Sequence, residues 1–418
     1  MRKVCVLGQG YVGLPLAIRC VDVGHNVVGY DVDEDRVKSL AAGESYIEDI
    51  SARQLAATIA TGRYLASSQE EDLTGFDVAV ITVPTPLRDG SPDLSFVESS
   101  ARTLGRHVRP GCLVVLESTS YPGTTQDFLG PVLAEASGLR AGEDFQLAFS
   151  PERIDPGNRT WTLRNTPKVV AGVDEASRDA VISFYGQLVE TVVPVSGTSE
   201  AELTKLLENT FRHINIALVN ELAIFAHELR IDLWESIDAA ATKPFGFMPF
   251  RPGPGVGGHC LPIDPSYLSW RVERSLGRSF RFVELANDIN MHMPDYVVQR
   301  IAHGLNERGK PVKGSRVLVL GLAYKRNTRD ARESPAVRVT ELLLSQGADV
   351  RAADPHVLDG HIDTRVPRVD ATPEEAAASD AVVLLTDHDA FDLDAIVPRC
   401  SYFLDCRSRV RGHAVEPL

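Results

Sequence analysis

The stretch Lys3-Val4-Cys5-Val6-Leu7-Gly8-Gln9-Gly10-Tyr11-Val12-Gly13 decides the fold. The apolar run up to Leu7 predicts a buried strand, and three glycines at Gly-x-Gly-x-x-Gly spacing predict a tight turn. Helical periodicity from Leu14 to about Val23 and a second apolar run, Asn26–Tyr30, complete a βαβ unit. Glycines at these positions let backbone N–H groups approach a pyrophosphate at a helix N-terminus. Asp31, ending the second strand, can accept hydrogen bonds from ribose hydroxyls and repels a 2′-phosphate, so the motif predicts NAD in preference to NADP. Glycines that merely permit close packing are the plainer alternative, and the strand–turn–helix context argues against it.

Outward from this motif, strands are expected at Val78–Val83, Leu113–Glu117 and Gln146–Phe149, giving a parallel sheet covered on both faces. A different texture follows Gly197. Leu203, Leu207, Thr210, Ile214, Leu218, Phe225 and Leu229 recur at helical spacing behind a candidate N-cap, Ser199, and predict one helix of about thirty residues. The Pro- and Gly-rich run Pro244–Pro254 is a loop. Alternation returns with strands at Arg316–Leu320, Asp349–Ala352, Ala381–Thr386 and Tyr402–Asp405 and a helix over Ser334–Gln346. The expected architecture is α/β: two Rossmann-like doubly wound domains, 1–197 and 306–418, joined by a central helical domain, 198–305.

The 418 residues are enough for two or three domains, and 44% hydrophobic with 24% charged residues is ordinary globular usage. With 57 acidic against 43 basic side chains, a net charge of −14 opposes binding to nucleic acid or anionic lipid. No apolar run reaches the length of a membrane helix, and the glycines at 8, 10 and 13 interrupt what could imitate a signal peptide, so mature sequence is expected. Six cysteines without a Cys-x-x-Cys pair predict neither a disulfide framework nor a metal site, and fit a reducing cytoplasm.

Two further constellations carry chemistry. Cys260 follows the glycine-rich Gly255-Val256-Gly257-Gly258-His259, where a ligand can come close and a thiolate can attack a carbonyl. A structural cysteine is the alternative; Asp264 and His259 nearby favour reactivity, although His259, adjacent in sequence, is read as a loop residue. Lys205 and Asn209, four apart, share a helix face opposite the apolar stripe. Their spacing leaves open a solvated face or a pair that stabilises an oxyanion by charge and N–H donation.

The N-terminal Gly-Gln-Gly-Tyr-Val-Gly-Leu-Pro-Leu-Ala, Ser150-Pro151-Glu152-Arg153, Leu203-Thr204-Lys205-Leu206-x-x-Asn209, Pro252-Gly253-Pro254-Gly255-x-Gly257-Gly258-His259-Cys260-x-Pro262-x-Asp264-Pro265 and Gly321-Leu322-Ala323-Tyr324-Lys325 are together similar to the UDP-glucose/GDP-mannose dehydrogenase family, over essentially the whole chain. Thr242 to Phe250 further resembles its UDP-N-acetylglucosamine 6-dehydrogenase branch. That branch predicts an aromatic residue at position 251, where this chain has Arg251.

The resemblance implies oxidation of the C6 alcohol of a UDP-sugar, first of all UDP-N-acetylglucosamine, to the carboxylate at the expense of two NAD and one water. Cys260 would carry the thiohemiacetal and thioester. Lys205 and Asn209 would stabilise oxygen charge, Asp264 would support proton transfer and water activation, and Thr119 and Glu152 would hold water and shuttle protons. For the cofactor it implies Gly8, Gly10, Tyr11, Val12, Gly13, Asp31, Arg36, Thr85, Thr119 and Arg332. For the substrate it implies Glu152, Arg153, Lys205, Asn209, Phe250, Arg251, Gly257, Lys325 and Arg407. The turn Gly321-Leu322-Ala323-Tyr324 suits the UDP moiety better than a second NAD. A homodimer or higher homo-oligomer, paired through the apolar stripe, is expected, with no nucleic-acid or membrane partner. UDP-glucose 6-dehydrogenation is the closest alternative. A single-step hydroxyacid dehydrogenase needs neither Cys260 nor a second α/β domain, and a silent nucleotide-sugar sensor would lose residues that are all present.

Overall fold

The computed structural model describes residues 1–47, 49–88, 90–155, 158, 160–258, 261, 263–357, 362–412 and 414–418. The chain divides into two compact units, one of residues 1–208 with 266–278 and one of residues 209–265 with 279–418.

The first unit holds an eight-stranded sheet of β1 (Lys3–Leu7), β2 (Asn26–Tyr30), β3 (Tyr64–Ser67), β4 (Val78–Ile81), β5 (Leu113–Leu116), β6 (Gln146–Phe149), β7 (Lys168–Gly172) and β8 (Val192–Pro194), in the order β8-β7-β6-β5-β4-β1-β2-β3. β1 to β6 are parallel, as expected of strands that are apolar on both faces. β7 departs from that plan and runs antiparallel to β6, pairing Ala148 with Gly172 and Phe149 with Ala171. The second unit holds a five-stranded parallel sheet of β9 (Arg316–Leu320), β10 (Asp349–Ala353), β11 (Ala381–Leu384), β12 (Phe403–Asp405) and β13 (Val415–Pro417), ordered β10-β9-β11-β12-β13. The inner strands of both sheets are buried.

β5 ends one residue sooner than the sequence suggests, and β4 and β11 end two sooner for one shared reason. After β4, Thr82 leaves the ladder and brings its hydroxyl within 2.9 Å of Leu7 O and 2.8 Å of Gly8 O. After β11, Thr386 donates to Ala323 O at 2.6 Å, across the turn that follows β9. Each threonine clasps a glycine with positive φ, Gly8 at 91° and Gly321 at 88°. A Cβ would lie 3.0 Å from Thr82 O at Gly8 and 2.3 Å from Thr386 O at Gly321.

The long helix spans Thr198–Glu228. Ser199 lies inside it, a correction to its reading as N-cap: the first turn is closed by Ala201 N–H donating to Gly197 O at 3.3 Å. Leu206, Thr210, His213, Ala217, Asn220 and Ala223 form its buried face, so Thr210 does not belong to the outer stripe. Leu203, Leu207, Leu218, Phe225 and Leu229 are exposed, and Phe211 and Leu222 extend that row. No helix among the described residues is long and apolar enough to cross a membrane.

Candidate active site

In the first unit, the glycines build the turn after β1. A Cβ at Gly13 would stand 1.8 Å from Gly8 O, so the turn closes only around glycine there. A Cβ at Gly10 would meet nothing within 4 Å, which leaves the outer side of the turn open to a ligand. Tyr11 is exposed and Val12 half-buried beside it. Asp31, 4% exposed, accepts the Gln9 N–H at 2.8 Å and Arg36 Nη1 at 2.9 Å. Arg36 also lies over the Tyr46 ring, 5.5 Å from its centroid. This set fits an NAD adenosine and pyrophosphate: an open glycine turn, an acidic residue ending β2 and a cation beside it. Thr85 is buried, and its carbonyl accepts the Tyr267 hydroxyl at 2.6 Å.

Gln9, inside the glycine motif but not one of its glycines, has a structural task of its own. Its buried amide donates to Val6 O at 2.9 Å and accepts from the Tyr64 hydroxyl at 2.9 Å, so it braces the turn against β3. Gly29 is its only legible signal, because a Cβ there would fall 2.5 Å from Gln9 Oε1.

Lys205 Nζ donates to Thr119 Oγ1, and both side chains are half-buried. Three residues earlier on the helix, Glu202 accepts from Gly123 N–H at 2.6 Å, Thr125 N–H at 2.8 Å and Thr125 Oγ1 at 2.7 Å. Burial nevertheless raises its carboxyl to about 7. Glu152 is buried and accepts the N–H groups of Arg153 and Ile154 at 2.7 Å each and Lys168 Nζ at 2.9 Å. The Arg153 guanidinium forks onto Glu208, at 2.6 and 3.2 Å, and reaches Pro167 O at 2.7 Å. Glu202, Glu208 and Lys168 are absent from the sequence reading, which had no spacing rule to join them to their partners.

In the second unit, Asn209 Nδ2 donates to Asp264 Oδ2 at 2.6 Å, and Asp264 is 2% exposed. Cys260, with His259 and Pro262, lies outside the described residues. Phe250 packs edge-on against Phe211, ring centroids 5.7 Å apart. Arg251 pairs with Asp238 and lies over the Trp234 ring, 5.8 Å from its centroid. The glycines before Cys260 are approached by the protein itself: a Cβ at Gly257 would lie 2.7 Å from Glu333 O, and at Gly258 2.7 Å from the Tyr324 ring. Lys325 is half-buried, Arg332 is exposed and forks onto Asp330 at 2.6 to 3.1 Å, and Arg407 Nε donates to Leu385 O at 2.6 Å. Burial lowers the pKa of Arg407, whose Nη1 stands 2.8 Å from where a Cβ on Gly253 would be.

The turn after β9 repeats part of the arrangement after β1. Asp354 takes the N–H groups of Leu322 and Ala323 at 2.6 and 3.0 Å and His388 Nε2 at 2.9 Å. Burial opposes its charge, but His388 and the surrounding N–H groups outweigh burial and hold the carboxyl well below the carboxylate range. The bond from Leu322 is the counterpart of that from Gln9 N–H to Asp31 after β1, and the bonds from Ala323 and His388 tie this second turn further to the protein's own carboxylate. A cavity of about 250 Å³ in this unit, lined by His227, Trp234, Arg300 and His303 among others, contains none of the predicted site residues.

Three family profiles match the chain: the NAD binding domain of the UDP-glucose/GDP-mannose dehydrogenase family over residues 2–189, its central domain over 199–292 and its UDP binding domain over 318–410. The chain is similar to the UDP-N-acetyl-D-mannosamine dehydrogenase of Pyrococcus horikoshii, 36% identical over 93% of this chain and 90% of that protein. It is also similar to the UDP-N-acetyl-D-glucosamine 6-dehydrogenase of Pseudomonas aeruginosa, 35% identical over 93% and 91%. Among solved structures, the UDP-D-ManNAc dehydrogenase from Pyrococcus horikoshii superposes with a TM-score of 0.90 at 34% identity, covering 99% of this chain and 98% of that one.

Proposed function

The chain belongs to the UDP-glucose/GDP-mannose dehydrogenase family, and we propose that it oxidises the C6 alcohol of a UDP-2-acetamido-hexose to the carboxylate through a covalent intermediate on Cys260. It is an NAD-dependent oxidoreductase, and NAD, when bound, takes up the hydride lost from the substrate carbon. The observation that carries the reading is the engagement of both polar residues on the long helix: Lys205 with Thr119, and one turn on, Asn209 with Asp264. An idle lysine and asparagine would be solvated. An ammonium and an amide N–H one turn apart instead hold negative charge on a substrate oxygen.

The Cys260 thiolate attacks the C6 aldehyde: the sulfur–carbon bond forms and the carbonyl π pair moves to oxygen, giving a thiohemiacetal. Loss of hydride from that carbon leaves a thioester. Asp264 moves protons at the substrate oxygen, and Thr119 and Glu152 hold the water that cleaves the thioester. Gly8, Gly10, Tyr11, Val12 and Gly13 hold the cofactor's pyrophosphate, Asp31 and Arg36 its adenosine end, and Thr85, Thr119 and Arg332 the remainder. Arg153, Phe250, Arg251, Gly257, Lys325 and Arg407 hold the nucleotide sugar. Residues 1–197 serve NAD, 198–305 chemistry and self-association, and 306–418 UDP, in a cytoplasmic homodimer or larger homo-oligomer.

Both similar proteins act, by their names, on UDP-N-acetylhexosamines, which supports the acetamido class. UDP-N-acetylglucosamine is proposed as the first substrate, with UDP-N-acetylmannosamine and UDP-glucose as comparators. The test is NADH release across these three sugars; a clear preference for UDP-glucose overturns the acetamido assignment, and failure with all three overturns the activity.

A further inference from the structure

Behind Glu152 lies a closed group of four side chains from four elements. Glu117 follows β5, Glu152 follows β6, Lys168 opens β7 and Tyr185 ends the helix Glu175–Tyr185. The antiparallel pairing of β6 and β7, Ala148 with Gly172 and Phe149 with Ala171, lays the segment after β6 beside the start of β7, where Ser150 Oγ donates to Val169 O at 2.8 Å. Lys168 Nζ stands 2.9 Å from Glu152 Oε2 and 3.1 Å from Glu117 Oε1, with side-chain exposures of 4%, 8% and 0%. Tyr185 donates its hydroxyl to Glu117 Oε1, and the lysine lies over the Tyr185 ring, 5.3 Å from its centroid. Glu117 Oε2 is buried and has no partner among the described residues.

We propose that Lys168 is a positioning residue for the chemistry, holding Glu152 ionised and aimed while sharing its charge with Glu117. This rests on the role given to Glu152 above. One ammonium faces two buried carboxylates, so the group can be neutral only if one carboxyl keeps a proton. The donors decide which one. Glu152 accepts the ammonium and two backbone N–H groups, whereas Glu117 shares one oxygen between Lys168 and Tyr185 and leaves the other unpaired. The directions agree: burial raises Glu117, while at Glu152 burial is outweighed by Lys168 and the N–H groups of Ile154 and Arg153, and its carboxyl falls below the usual range. Burial also works against the charge on Lys168, but the two glutamates raise it. Cys20, from the first helix, faces the same group and is pushed up by burial, so it adds no charge. The Arg153 guanidinium is spent on Glu208. Glu152 therefore depends on Lys168 for its compensating charge.

The test is the pH profile of kcat in the intact enzyme, with UDP-N-acetylglucosamine and NAD, for Lys168→Met, Lys168→Arg, Glu117→Gln and Glu152→Gln. Loss of the ammonium raises the pKa of Glu152, so the acid limb of Lys168→Met moves up by about one pH unit or more. Lys168→Arg returns it toward wild type. Glu117→Gln stands in for the carboxyl that keeps its proton and retains an acceptor for Tyr185, so its acid limb stays at the wild-type position. It remains decisive should Lys168→Met fail to fold. A limb that moves in Glu117→Gln, which would show Glu117 ionised beside Glu152, or a wild-type limb in any folded Lys168→Met, in an enzyme that Glu152→Gln inactivates, overturns the assignment. Wild-type turnover in Glu152→Gln instead locates the failure in the role given to Glu152, and overturns the proposal with it.

Discussion

Arg36 Nη1 donates to Asp31 Oδ2 at 2.9 Å, so the acidic residue that ends β2 is a paired carboxylate beside a guanidinium that is 39% exposed. In the proposed cofactor site the pair would meet the ribose with an acceptor and a cation together. Discrimination against a 2′-phosphate rests on Asp31, because Arg36 alone would welcome that phosphate. Asp31→Ala therefore does two things. It removes charged hydrogen bonds worth about 1.5–3 kcal/mol each, raising the KM for NAD about 10- to 100-fold. It also frees Arg36, so the ratio of NADP to NAD efficiency rises at least tenfold. Steady-state kinetics with both cofactors check this; an unchanged ratio would show that selectivity lies elsewhere.

The glycines of the first turn do separate jobs, and substitution tells them apart. A Cβ at Gly13 collides with Gly8 O at 1.8 Å, whereas one at Gly10 meets nothing within 4 Å. Gly13→Ala is expected to destabilise the NAD-free protein by about 1–3 kcal/mol, read as a drop of several degrees in its unfolding temperature. Gly10→Ala should leave that temperature nearly unchanged and still weaken NAD binding, because its methyl group enters the space left for the ligand.

The elements legible in the sequence were those whose signal is local. Gly8, Gly10, Gly13 and Asp31 fall within one βαβ unit, and the 3.6-residue period of the long helix is visible in its own residues. Strand ends at Thr82 and Thr386 were misjudged because their departure from the sheet is caused by a distant glycine turn. β3, β7, β8 and β13 are not legible: Lys168 opening β7 and the three-residue Val192–Pro194 and Val415–Pro417 give no alternating run. Lys205 and Asn209 could be placed on one face, but only the structure supplies Thr119 and Asp264 as partners, 86 and 55 residues away. Glu117, Lys168 and Glu202 were invisible for the same reason, since charged residues read as surface until a fold buries them.

Glu202 makes stability depend on pH near neutrality. Its folded-state pKa of about 7 lies above the ordinary value of 4.5, so the native state binds a proton more tightly than the unfolded chain. That stabilisation is complete below about pH 4.5 and fades as pH rises through 7, an effect of up to about 3 kcal/mol. Glu202→Gln, which cannot ionise, removes this dependence. The difference in unfolding temperature between wild type and Glu202→Gln, followed from pH 5 to pH 8, should drift toward the variant as pH rises; a constant difference would refute the assignment.

The exposed row on the long helix predicts self-association. Phe211 is 47%, Leu218 51% and Phe225 50% exposed on one side of the helix Thr198–Glu228. Large apolar residues in a continuous row at helical spacing favour a partner surface over water. Sedimentation of the wild type at micromolar concentration should show a dimer or larger species. Leu218→Glu with Phe225→Glu should shift it toward the single chain, while near-wild-type helicity would separate lost association from lost folding.

The covalent mechanism gives the sharpest test, because it couples one atom to a stoichiometry. Full oxidation of an alcohol to a carboxylate removes four electrons and yields two NADH for each sugar consumed. The second pair can leave only from a tetrahedral carbon, and in the proposed route the Cys260 sulfur makes that carbon by adding to the aldehyde. Cys260→Ala removes the nucleophile, so uronate formation should fall by several orders of magnitude even where the first hydride transfer survives. A single turnover would then give at most one NADH per active site. Cys260→Ser should behave similarly, since a serine hydroxyl adds less readily and its ester cleaves slowly in a site arranged for a thioester. Product analysis beside NADH counting distinguishes these outcomes, and two NADH per sugar from Cys260→Ala at the wild-type rate would exclude the thioester. The sugar enters the same measurement: a pocket shaped for an acetamido group leaves unpaired polar groups around a smaller hydroxyl, so kcat/KM should be higher with UDP-N-acetylglucosamine than with UDP-glucose. If UDP-glucose were preferred, Arg251 is the first residue to exchange, because its pairing with Asp238 and Trp234 sets the loop before Gly253. Arg251→Phe should then change the ratio of the two sugars while leaving two NADH per sugar intact.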